Sequence, residues 1–185
     1  MKILVLLMTL LPMSALAGIY LEPMLSYSIS SKTLLGAESS DDDSQDISSV
    51  GTGIKIGYQS PSLGFGADID VATSTITDSD IKLAQTTTGA YLLYRFGGQY
   101  HVWGTYLISG SLVGAGDGDQ ALTADVSGYK LGGGMYFMSH LALNLELQSF
   151  TYSDLVYTTT ADIENERDDL SERRLVVSVS FPFEL

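Results

Sequence analysis

Asp68 and Asp70 stand two apart in the stretch FGADIDVA, and paired carboxylates on one side of an extended segment are candidates for general acid–base chemistry. The two histidines, His101 and His140, could each serve a hydroxyl nucleophile as base. The runs DDDSQD (Asp41 to Asp46) and GAGDGD (Gly114 to Asp119) offer oxygen ligands at spacings a divalent cation could use. So do Asp162, Glu164, Glu166, Asp168 and Asp169. None of these completes a calcium-loop pattern, and a solvated acidic connection accounts for each better. The chain has no cysteine, which excludes disulfides and attachment of lipid through a thiol.

The elements that must position these groups are strands. Residues 1–17, MKILVLLMTLLPMSALA, carry one lysine, an apolar run from Ile3 to Leu11, and small residues at Ala15 and Ala17. This pattern predicts a cleaved secretory signal peptide, too short in its apolar part to span a bilayer as a helix, which takes ~20 residues. Residues 18–185 then form one domain. Apolar residues recur at every second position: Ile19 to Ile29, Val50 to Tyr58, Leu63 to Val71, Ala90 to Phe96, Tyr129 to Phe137, Leu141 to Leu147 and Leu175 to Leu185. A less regular stretch, Tyr100 to Leu112, makes an eighth. There Trp103 and Leu107 fall on the polar parity and Gly104 and Gly110 on the apolar one, so a bulge is expected. Short turns at Gln59–Ser62, Gly97–Gln99 and Met138–His140 alternate with long connections near 32–48, 74–86, 114–125 and 153–172. The expected fold is all-β: a closed, eight-stranded, antiparallel up-and-down barrel, closure removing both sheet edges.

Alternation alone leaves the inside undecided between a water-soluble, lipocalin-like carrier and a transmembrane barrel. Three features favour lipid on the apolar face. Aromatic residues crowd the short-turn ends of the strands: Tyr58, Phe65, Phe96, Tyr100, Phe137, Phe181 and Phe183. Most acidic residues sit in the long connections. The strand charges Glu22, Lys55, Asp68, Asp70, Arg95, Lys130, Glu146, Arg174 and Glu184 all take the parity opposite the apolar set. The rest of that polar face is Gly, Ser, Thr, Asn and Gln, which suits a narrow interior better than a solvated exterior. With 22 acidic against 9 basic residues, the chain is unsuited to nucleic acid.

The final strand, LVVSVSFPFEL, places Val179, Phe181, Phe183 and Leu185 on the lipid parity up to the last residue. It resembles the C-terminal assembly strand of bacterial outer-membrane barrels, with Leu185 where an aromatic is usual. Pro182 cannot donate to a ladder. The whole of 18–185 is similar in architecture to the small eight-stranded outer-membrane proteins of the outer-membrane protein A, X and W types. That resemblance implies insertion by the barrel-assembly machinery, residence as a monomer in the cell outer membrane among lipid and lipopolysaccharide, termini and short turns in the periplasm, and long loops outside. Barrels of this kind include lipid A-modifying enzymes with a Ser-His-acid set at the bilayer surface; neither His101 nor His140 sits in such a set.

The expected role is therefore structural or interactive, with no enzyme activity and no cofactor or metal, and with the acidic loops open to an extracellular ligand. The interior charges Glu22, Lys55, Asp68, Asp70, Arg95, Lys130, Glu146 and Arg174 are expected to form a lumen network, Lys55 diagonal to Asp68 and Lys130 diagonal to Glu146. A narrow channel for ions or small solutes is the alternative.

Overall fold

The structure, a computed structural model, describes residues 18–34, 47–76, 82–115, 121–158, 163–165 and 170–185. The expected signal peptide lies outside these residues, as do the acidic runs Asp41–Asp46, Asp117–Asp119 and most of 159–169. Ten strands follow in order: β1 (Gly18–Leu34), β2 (Ile47–Gln59), β3 (Leu63–Ile76), β4 (Lys82–Phe96), β5 (Tyr100–Ala115), β6 (Ala121–Met138), β7 (Leu141–Thr158), β8 (Ile163–Asn165), β9 (Leu170–Ser180) and β10 (Phe183–Glu184). Neighbours in sequence pair antiparallel from β1 to β7, and β9 pairs with both β7 and β1, closing a ring of eight. The three-residue β8 extends the β7 hairpin above the ring, and β10 continues β9 along β1.

Alternation fixes the facing of each strand because successive side chains point to opposite sides. Leu25, Ile56, Phe65, Leu92, Leu131, Leu143, Leu145 and Leu147 are exposed on the outside. Val177 is half-buried on that same face. This apolar surface is a band with an upper edge. Leu147 pairs with Leu175, whereas the next outward pair above is Ser149 with Arg173. At the opposite end the girdle aromatics touch one another: Tyr58–Phe65 at 6.0 Å, Tyr94–Phe96 at 6.2 Å and Phe96–Tyr100 at 5.8 Å between ring centroids.

The strands run further than the apolar alternation predicts. β6 and β7 have 18 residues each, although a tilted strand needs only ~9–11 to cross a bilayer. The expected connections at 32–48, 74–86, 114–125 and 153–172 are therefore partly ladder. Beyond the apolar alternation many outward positions are Thr and Ser, such as Thr73, Thr86, Ser127 and Thr151. They form strands readily but carry no hydrophobic period.

The irregularity in β5 is a bulge at Ile108. Thr88 pairs with Ser109 and Gly89 with Leu107, leaving Ile108 unpaired and 71% exposed. Below it His101, Trp103, Thr105 and Leu107 point inward; above it Leu112 does. The parity change turns Gly110 toward the interior, where an added Cβ would lie 2.9 Å from Val126 Cβ. This reverses the outward position that unbroken alternation predicts for it.

Candidate functional site: the filled lumen

The interior is filled in layers. In the half nearest the long connections, Leu83, Leu107, Leu112, Ala124, Val126, Phe150 and Tyr152 form an apolar cluster on the β4–β7 side of the bore. Beneath it lies a belt of ionised and amide side chains. Nearer the short turns, Tyr20, Tyr91, Leu93 and Trp103 make a second apolar cluster.

In the belt, Lys130 on β6 reaches across to β3. Its Nζ lies 3.4 Å from Asp68 Oδ2 and also donates to Asp70. Thr105 donates to the same Asp68 oxygen at 2.8 Å. Lys55 is directly opposite Asp68 in the ladder rather than diagonal to it. Its ammonium contacts Met24 Sδ at 3.8 Å and lies 4.6 Å above the Trp103 ring. Lys130 is opposite Gln148 and diagonal to Glu146 in register, as expected, but its ammonium bonds to Asp68 and Asp70. Glu146 instead accepts from Trp103 Nε1 at 2.8 Å and Gln148 Nε2 at 2.7 Å. The reason is reach: two carboxylates on β3 face a bore narrow enough for a lysine to cross, so partners are chosen across the lumen rather than along the neighbouring ladder.

Arg174 is held by Glu172, Nε to Oε1 at 2.5 Å and Nη2 to Oε2 at 2.6 Å, and donates to the Tyr152 hydroxyl at 3.1 Å. Glu172 falls within the expected fourth connection, yet its side chain is buried in the bore. The signal that identifies it is parity: Glu172 shares a face with Arg174, Val176 and Ser178. A small cavity of about 30 Å³, room for one water, lies among Ser26, Asp70, Gln85, Glu146, Gln148 and Arg174.

The lower part of the lumen carries a chain of neutral donors ending on Glu22. His101 Nε2 meets Asn144 Oδ1 at 3.0 Å, Asn144 Nδ2 donates to Ser180 Oγ at 2.9 Å, and Ser180 donates to Glu22 at 2.5 Å. Tyr20 donates to the other Glu22 oxygen at 2.8 Å. Histidine, serine and carboxylate are thus linked, but through an asparagine, and His101, Ser180 and Glu22 are all buried. Arg95 closes the bottom: it pairs with Glu184, donates from Nε to Tyr136 Oη at 3.0 Å, and lies over the Tyr136 and Tyr20 rings. His140 sits at the rim in the β6–β7 turn. Val179, Phe181, Phe183 and Leu185 lie on the outer face.

Two glycines make the packing possible. A Cβ on Gly132 would stand 2.1 Å from Trp103 Cζ2, and one on Gly134 would stand 2.1 Å from Asn144 Oδ1 and 2.6 Å from the His101 ring. Gly132→Val should therefore displace Trp103 from Glu146 and cost about 1–3 kcal/mol, the usual scale for overpacking. Urea unfolding in lipid vesicles would measure it, and an unchanged midpoint would contradict the packing described.

Among the described residues no group of three or more His, Asp or Glu is placed to hold a metal ion. The sequence from 3 to 183 matches the family model described as outer membrane protein beta-barrel domain. No curated protein sequence matches the chain. Among solved structures, the chain is similar to Neisserial surface protein A, with 14% identity, TM-score 0.57, and coverage of 90% of this chain and 99% of that one. It is similar also to the attachment invasion locus protein of Yersinia pestis, with 10% identity, TM-score 0.54, and the same coverage of each. At these identities the likeness is one of fold.

Proposed function

The chain belongs to the outer membrane protein beta-barrel domain family and resides in the outer membrane, and from this premise we propose that it is a non-conducting anchor without enzyme activity. On this reading the acidic connections at the far end of the strands interact outside the cell, and the lumen charges serve as an internal brace. The observation that carries the reading is the filling of the bore by bonded side chains: Lys130 of β6 reaches Asp68 and Asp70 of β3, Glu172 pairs with Arg174, and Leu83, Leu107, Leu112, Val126 and Phe150 pack on the β4–β7 side. An ion entering the bore would have to displace these paired groups.

The same premise supports a cleaved signal over residues 1–17, insertion by the barrel-assembly machinery, and lipopolysaccharide packed against the outer face. The chain's strongly acidic balance, −13 overall, disfavours direct contact of its connections with lipopolysaccharide phosphates unless divalent cations bridge them. Planar-bilayer recording of the folded, full-length protein tests the reading. A silent membrane is expected; stable unitary conductance would replace the anchor with a channel.

A further inference from the structure

The last five residues leave the ring on one side only. Ser180 pairs with both Met24 on β1 and Ala142 on β7. β7 begins at Leu141, so beyond Ser180 the chain runs along β1 alone, with Leu21 opposite Phe183 and Tyr20 opposite Glu184. Phe181 N donates to Pro23 O at 2.9 Å, and Leu185 exchanges bonds with Ile19 at 2.9 and 3.2 Å. Ladder alternation then directs the main-chain groups of residues 181, 183 and 185 at β1, and those of 182 and 184 at the open edge. Pro182 stands at an open-edge position, where its missing N–H removes a donor that would otherwise be free to pair.

Side chains secure what the ladder does not. On the open edge, His140 Nδ1 lies 3.2 Å from the Pro182 carbonyl oxygen, and the His140 ring stacks on Phe183 at 5.6 Å and 19°. On the inner side Glu184 pairs with Arg95. Arg95 is on β4, four strands from β9 whichever way the ring is followed. This contact therefore spans the mouth of the barrel. Arg95, Tyr136, His140, Pro182 and Glu184 together line a cup of about 510 Å³ at that mouth.

We propose that residues 181–185 are a latch that docks after the ring has closed, held on its free edge by His140 and across the mouth by Arg95. The order follows from where the partners lie. His140, in the β6–β7 turn, meets Pro182 once β9 pairs with β7, whereas Arg95 on β4 faces Glu184 only when β9 already bridges β7 and β1. Undocked, Phe181, Phe183 and Leu185 would be an unpaired apolar segment at the short-turn end of the barrel. Docked, the segment has one edge in the ladder and the other capped.

Hydrogen exchange on the folded, full-length protein in lipid vesicles tests this. In the double variant His140→Ala/Glu184→Gln, the Phe183 and Leu185 amides should exchange about tenfold faster, while Val177 keeps its wild-type protection, as expected of local opening. The unboiled protein should still run as a closed barrel on a gel. Unchanged exchange at Phe183 and Leu185 would overturn the latch. So would an equal acceleration at Val177, which would mean that the whole seam frays. Failure of His140→Ala alone to give the closed form would also overturn it, since the contact would then belong to ring formation itself.

Discussion

Replacing Lys130 with methionine should lower the stability of the barrel by about 3–5 kcal/mol, because breaking a buried ion pair leaves its partners charged and uncompensated. Asp68 and Lys130 are both 1% exposed, and Asp70 shares the same ammonium. The other buried ammonium nearby, Lys55, stands opposite Asp68 in the ladder and contacts Met24 and Trp103. Removing Lys130 therefore strands Asp70 above all and leaves Asp68 with Lys55 as its facing cation. The triple variant Lys130→Met/Asp68→Asn/Asp70→Asn should recover most of the loss, since neutral amides cost far less to bury than carboxylates. Equilibrium unfolding in lipid vesicles, followed by tryptophan fluorescence, would measure both; Trp103 is the only tryptophan and packs in this layer. A Lys130→Met protein as stable as wild type would show that the cross-lumen pair is dispensable.

The second large effect is on the other face. Leu145→Arg should destabilise the inserted barrel by about 1–3 kcal/mol, the cost of an arginine facing lipid between the midplane and the edge of the apolar band. Leu145 is 52% exposed and lies two residues below the upper edge of the apolar band, opposite Gly133 on one side and Val177 on the other. Gln148→Arg, three residues along the same strand, puts the same charge inside, beside Glu146 and the small polar cavity. It should be tolerated far better. Folding yield into vesicles, read as the fraction of faster-running unboiled band, compares the two directly. Equal yields would contradict the assigned facing.

Much of this architecture was legible because a strand has an integer period. Leu143, Leu145 and Leu147 on one side and Asn144, Glu146 and Gln148 on the other are separated by parity alone, with no knowledge of the neighbours required. Departures from parity were less legible. The bulge at Ile108 shows in sequence only as a conflict between Trp103, Leu107 and the glycines, and its site depends on how β4 and β6 pair with β5. Glu172 is hidden for another reason: the strands outrun the apolar band, so the end of alternating hydrophobicity is not the end of the ladder.

By itself, then, the sequence determined the eight-stranded ring, its closure and the side of each strand except β5 that meets lipid, since these follow from local alternation and turn length. The tertiary structure decided which charges pair. Lys130 takes Asp68 and Asp70 from three strands away, Lys55 settles on a thioether and an indole, and Arg95 crosses the mouth to Glu184. The register of a ladder specifies neighbours along the wall. Contacts across a bore depend on its diameter and stagger, which exist only once the last strand has met the first.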